Sequence, residues 1–151
     1  MQFDSFKSIM EYAIQKEIDA AEFYEEVSEK EKFSGAKETF KSFAAEERKH
    51  EELLRGFTAE NMEHYKVEKV PDLKRSDYLV DLEYTPGMSY ADILRLAMKR
   101  EEKAHSFYSD FAAAAAEPAH KKLFEVLAQE EAKHKLKLET FLDDYLAEMG
   151  D

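Results

Sequence analysis

At 151 residues the chain is one domain's worth of polypeptide, long enough to bury a core without covalent staples. It contains no cysteine, which excludes disulfides, iron–sulfur clusters, thiolate zinc sites and thiol nucleophiles. A formal charge of −12 argues against nucleic acid and anionic lipid as partners, and would suit a protein that attracts metal cations.

Three prolines and four glycines, against abundant Glu, Lys, Ala and Leu, favour helix along most of the chain. The opening Met1-Gln2-Phe3-Asp4-Ser5-Phe6 lacks the basic and apolar regions of a signal peptide. No apolar run approaches the roughly 18 residues that suggest a membrane span. The expectation is a cytoplasmic protein with no membrane segment.

Caps and breaks divide the chain into four predicted helices. The first runs over about 4–32, starting at Asp4 or Ser5 and stopping before Ser34-Gly35. The second covers about 36–62. Over about 63–88 the helical pattern lapses, with Pro71, Pro86 and Gly87 and a β-prone run from Val67 to Val70. The third covers about 89–116, opened by the hydroxyl of Ser89. The fourth covers about 118–149, with Pro118 in the first turn, where a missing N–H costs nothing.

Short links make helices one and two, and helices three and four, antiparallel neighbours. The connection over 63–88 is long enough to return along a whole helix, since extended chain covers about 3.3 Å per residue against 1.5 Å in a helix. The fold class expected is therefore all-α: a ferritin-like four-helix bundle in one domain, 1–151, with a long crossover between helices two and three.

Each helix carries one apolar stripe in steps of three and four. The first reads Phe6, Met10, Ala13, Glu17, Ala20, Tyr24, Val27, and the second Phe40, Phe43, Glu47, His50, Leu54, Phe57. The third reads Tyr90, Leu94, Ala97, Glu101, Ala104, Tyr108, Phe111, and the fourth Phe124, Leu127, Glu131, His134, Leu138, Phe141, Tyr145. Six ionisable residues interrupt these stripes near mid-helix. They form a repeat: Glu17 precedes Glu47-x-x-His50 by the same interval as Glu101 precedes Glu131-x-x-His134.

Four carboxylates and two imidazoles are the donor set of a dinuclear iron or manganese site in a helical bundle. Converging carboxylates in a core lose solvation and repel one another unless compensated; two divalent cations cancel four of them. Two further Glu-x-x-His pairs, Glu102–His105 and Glu117–His120, lie off the stripes and read as solvated or capping residues. Glu46 and Glu130 are also off-stripe, and His64, His105 and His120 read as surface residues. Tyr24 and Tyr108 lie two turns beyond Glu17 and Glu101, placed either as buried aromatics or as hydrogen-bond partners of a ligand carboxylate.

The segments Ala13-Ile14-Gln15-Lys16-Glu17 leading to Glu22-Phe23-Tyr24, and Ala44-Ala45-Glu46-Glu47-Arg48-Lys49-His50, resemble the erythrin domain of rubrerythrins. So do Ala97-Met98-Lys99-Arg100-Glu101 leading to Phe107-Tyr108, and Gln129-Glu130-Glu131-Ala132-Lys133-His134. The resemblance implies that Glu17, Glu47, His50, Glu101, Glu131 and His134 ligate two iron ions (manganese or a mixed pair being the variants), with Glu47 and Glu131 bridging. It spans nearly the whole chain but departs from the family twice. The cysteine-bearing rubredoxin domain is missing, so electrons are expected from a separate donor such as a rubredoxin-like protein. A further family carboxylate one turn after the third-helix ligand is Ala104 here, leaving a bacterioferritin-like symmetry.

The function expected is that of a non-haem di-iron oxidoreductase that reduces hydrogen peroxide. The alternatives are a ferroxidase that stores or transfers iron, and a non-enzymatic metal-binding bundle. A homodimer is expected, with the 62–88 segment packing on a second subunit and exchange of helices as one arrangement.

Overall fold

The computed structural model describes residues 5–31, 34–60 and 83–149, with backbone alone at 34–36. Among them lie four helices and no strands, the all-α class expected: α1 (Phe6–Lys30), α2 (Ser34–Arg55), α3 (Tyr90–Ala114) and α4 (Pro118–Glu148). The β-prone Val67–Val70 run, His64 and most of the expected crossover lie outside the described residues. Two compact units divide the chain, Met1–Phe57 and Thr58–Asp151.

The first unit is an antiparallel helical hairpin. Ser5 is the N-cap of α1, in a reciprocal capping box with Ser8. At the far end the Glu31 N–H closes the helix on the Val27 carbonyl, 3.1 Å away. Aromatic contacts give the direction: Phe6, at the start of α1, packs on Phe57 just beyond α2. Late in α1, Tyr24 stacks on Phe40, early in α2, with centroids 5.8 Å apart, and meets Phe43 edge-on.

Helix α2 stops at Arg55, well short of the expected position 62. Gly56 closes the last turn by donating to the Glu52 carbonyl at 2.9 Å, and the Phe57 N–H turns back to Leu54. Glycine lowers helix propensity by about 1 kcal/mol relative to alanine. Phe57 keeps the stripe's apolar character after the helix has ended, because its ring caps the hairpin against Phe6. That contact, rather than helical phase, explains its place in the sequence pattern.

The second unit repeats the hairpin. Chain direction reverses at Thr85-Pro86-Gly87-Met88, where Met88 N–H donates to the Thr85 carbonyl and Gly87 takes φ 89°. Proline second and glycine third, with positive φ at the glycine, is the pattern of a type II turn. The Ser89 side chain then accepts from the Asp92 N–H at 3.1 Å and opens α3. Ser89→Ala should cost about 1 kcal/mol of stability, read as a lower urea midpoint with unchanged slope.

Pro118 opens α4 as expected, with Glu117 at the N-cap position, but the Glu117 side chain does not cap the helix. It pairs with His120 at 3.0 Å instead, and His120 is half-buried at the start of α4. Tyr90 meets Tyr145 at the open end of this hairpin, and Tyr108 stacks on Phe124 near the closed end. The second hairpin thus repeats the aromatic layout of the first.

Candidate metal centre

The stripes carry their polar residues inward. Glu17, Glu47, His50, Glu101, Glu131 and His134 are all buried, each at most 8% exposed. Ionised carboxylates do not stay dry without compensation, so burial of all four is the main anomaly of the fold. Glu46 and Glu130, one residue from the buried pair, are only half-buried, as the helical phase requires.

Within the first unit, α1 supplies Glu17 and α2 supplies Glu47 and His50. Their ligand atoms lie within 4.8 Å of one another. His50 Nδ1 is 3.5 Å from Glu17 Oε2 and 3.4 Å from Glu47 Oε1. Within the second unit, α3 supplies Glu101 and α4 supplies Glu131 and His134, again within 4.8 Å. His134 Nδ1 is 3.4 Å from Glu101 Oε1. In both units the imidazole therefore turns Nδ1 towards the carboxylates.

These spacings fit a shared cation. Nitrogen and oxygen donors sit about 2.0–2.2 Å from a first-row divalent ion. Two donors about 3.4 Å apart at that bond length subtend about 110° at the ion, an ordinary coordination angle. Hard carboxylates with one imidazole suit iron and manganese, and the lack of thiolate disfavours soft ions. Each triad therefore fits a metal ion by chemistry, spacing and burial.

Electrostatics point the same way. Burial disfavours a charged His50, yet Glu17 and then Glu47 outweigh it and push its pKa up to about 10. The raised value stabilises the metal-free fold fully below about pH 6.5, and that contribution fades as pH rises through about 10. A metal bound at Nδ1 must displace this proton. Binding near pH 7 should therefore release about one proton at His50 and tighten as pH rises. Titration calorimetry in buffers of different ionisation enthalpy reads this directly, and buffer-independent heats would refute it.

Tyr24 and Tyr108 are fully buried, with rings stacked on Phe40 and Phe124. Of the two extra Glu-x-x-His pairs, His105 is exposed and Glu117 is largely so. Besides Glu31 at the end of α1, two further buried charged residues lie off the apolar stripes: Lys135, 6% exposed, and Glu139, 0% exposed. They lie beside His134 and Leu138 and share a face with Glu131, so the inward face of α4 is wider than one stripe. Opposite charges at i, i+4 next to the stripe were the available signal.

Among the described residues no helix is long and apolar enough to cross a membrane. Comparison with curated proteins yields no match. A solved structure described as Hypothetical Protein Pfu-1136390-001 from Pyrococcus furiosus is similar, at 30% identity and a TM-score of 0.68, over 95% of this chain and 92% of that one. The sequence model of the rubrerythrin family matches residues 8–142, a span that holds all four helices and both triads but for the last residues of α4 and the first two of α1. With its repeated buried carboxylate–histidine motifs inside that span, the chain belongs to the rubrerythrin family.

Proposed function

We propose that the two triads together hold a dinuclear iron centre, and that the protein is an oxidoreductase that reduces hydrogen peroxide with electrons from a separate donor protein. The observation that carries this reading is the burial of two like triads of two carboxylates and one imidazole. Glu17, Glu47, His50, Glu101, Glu131 and His134 would hold the ions, and bound ferrous iron would supply the two electrons that, with two protons, convert hydrogen peroxide to two waters.

The chain's part is electrostatic and steric. Four carboxylates cancel the charge of two divalent ions, so the loaded core carries little net charge. Carboxylate ligands also tolerate the added positive charge of oxidation better than neutral donors do. Aromatic rings on the same stripes, Tyr24 on Phe40 and Tyr108 on Phe124, wall the core against bulk water. Hydroxyls of Tyr24 and Tyr108 serve in this reading as hydrogen-bond partners of the ligand carboxylates.

The chain has no cysteine and so no rubredoxin-type iron of its own, which is why the donor is placed on a separate, rubredoxin-like partner. A homodimer remains part of the proposal, and equilibrium sedimentation tests it. In stopped flow, reduced protein should oxidise much faster with hydrogen peroxide than with dioxygen; equal or reversed rates remove the peroxidase reading.

The symmetry of the triads, with Ala104 where the family carries a further carboxylate, favours one second reading: ferroxidase activity with iron transfer or storage. Uptake well beyond two irons per chain, in an assembly large enough to enclose a cavity, would establish it instead.

A further inference from the structure

The apolar stripes run buried through the middle of their helices, with two exceptions that fall at the same place in the repeat. Half-buried stripe residues otherwise stand within about two turns of a helix end, as Phe6, Met10, Tyr90, Phe111, Phe141 and Tyr145 do. Ala20 and Ala104 are half-buried in the interior of α1 and α3. Each follows the ligand glutamate of its own helix, Glu17 or Glu101, by one turn.

Helical phase does not explain their exposure. Ala20 stands two turns from both Ala13 and Val27, in one line along the helix, and those two residues are fully buried. Ala104 stands two turns after the fully buried Ala97 and between Glu101 and Tyr108, which are at most 2% exposed. A residue in line with a covered row is open to water only where nothing packs over it. A lone methyl group does not fill such a gap.

The other two helices are closed at the corresponding places. Phe43 and Ala44 before Glu47, and Leu127 and Ala128 before Glu131, are all buried. The half-buried neighbour of Glu47, Glu51, lies off the stripe and is held by Arg48 and Arg55 at 3.3 and 2.9 Å. In each hairpin, water thus comes within one turn of a buried carboxylate along the stripe, where Cβ atoms are about 5–6 Å apart.

Resting on the dinuclear reading above, we propose that Ala20 and Ala104 are the access ports of the metal centre, one in each hairpin. Through them pass the few-atom species that the centre needs, divalent cations and hydrogen peroxide, and the methyl side chain sets the width. A larger group at these positions closes the port without replacing a ligand atom. Neither alanine is catalytic; each governs which molecules arrive and how fast.

The chain has no cysteine, so Ala20→Cys with Ala104→Cys places thiols at the ports alone. Caps are then attached to protein that has already folded, which separates a blocked port from a failure to fold. Iodoacetamide and the bulkier N-ethylmaleimide should modify both thiols in native, metal-free protein, as counted by mass spectrometry. Ala113→Cys, at an exposed position of α3 off the stripe, carries the same caps as a control.

Cobalt(II) uptake, followed by absorption in stopped flow, should slow by about tenfold or more with N-ethylmaleimide at both ports, because squeezing past a filled opening resembles overpacking a core. Equilibrium cobalt affinity should stay within about threefold of that of the unaltered protein. Iodoacetamide should slow uptake less, and capped Ala113→Cys should load at the unaltered rate. Protein loaded with iron before capping, then reduced, should lose its rate with hydrogen peroxide in the same order.

Thiols that resist modification in the native protein, or capped ports that load cobalt at the unaltered rate, would overturn the inference. So would a fall in affinity large enough to account for the whole change in rate, since the alanines would then be structural. If the unaltered protein binds no cobalt, the dinuclear reading falls and the ports with it. If cobalt binds but peroxide is not consumed, the peroxidase reading alone fails, and cobalt uptake still decides the ports.

Discussion

Glu47→Ala or Glu131→Ala should lower peroxide reduction by more than about 100-fold. Loss of an outer hydrogen-bond partner of a metal ligand already costs 10–100-fold, and these are the proposed ligands themselves. Each replacement takes away one of two carboxylates in a buried triad whose donor atoms lie within 4.8 Å. The loss removes both a donor atom and a compensating negative charge from the site, which weakens its hold on an ion against water.

The same variants give a readout independent of turnover. Ions that bind only the folded chain stabilise it by about 4 kcal/mol per site at a thousandfold excess over the dissociation constant. At about 2–4 °C per kcal/mol for a chain of this size, iron or cobalt should raise the melting temperature of the unaltered protein by roughly 10 °C or more. Glu131→Ala should show little of that rise. A variant that keeps both the rise and the activity would remove Glu131 from the metal centre.

The second large effect belongs to the core. Phe124 is 1% exposed, stacks on Tyr108 with centroids 6.3 Å apart, and meets Phe111 edge-on at 5.4 Å. Phe124→Ala leaves a ring-sized void that these partners cannot close without leaving their own rotamers. It should destabilise the fold by about 3–5 kcal/mol, measured as a lower denaturant midpoint. Phe141 lies on the same face of α4 but is only half-buried, so Phe141→Ala serves as the contrast and should cost much less. Equal losses at the two positions would mean that depth of burial does not govern packing along this helix. Phe124 sits two turns before Glu131, so the void should also loosen metal binding at the second triad.

Much of this protein is legible without coordinates because helices report their geometry through periodicity. Glu17, Glu47, His50, Glu101, Glu131 and His134 stand in phase with Phe, Leu and Ala at steps of three and four, and a residue in phase with a core stripe faces the core. Local chemistry marks the ends equally well: Ser5 and Ser89 cap α1 and α3, and Pro118 opens α4. The end of α2 is hidden in the sequence because an apolar residue is in phase for another reason. Phe57 closes the hairpin on Phe6 after Gly56 has ended the helix.

Which imidazole nitrogen faces the carboxylates depended on the fold, because side-chain rotation has no signature in spacing. So did the breadth of the inward face of α4. In sequence, Glu51 with Arg55 and Lys135 with Glu139 are the same object, two opposite charges four residues apart on a charged helix. The first is an exposed ion pair at 2.9 Å and the second is buried from solvent. Periodicity tells where the centre of a buried face lies, but its width depends on what packs against its margins. That is set by tertiary neighbours, and a charge at such a margin meets water in one half of this protein and a dry interior in the other.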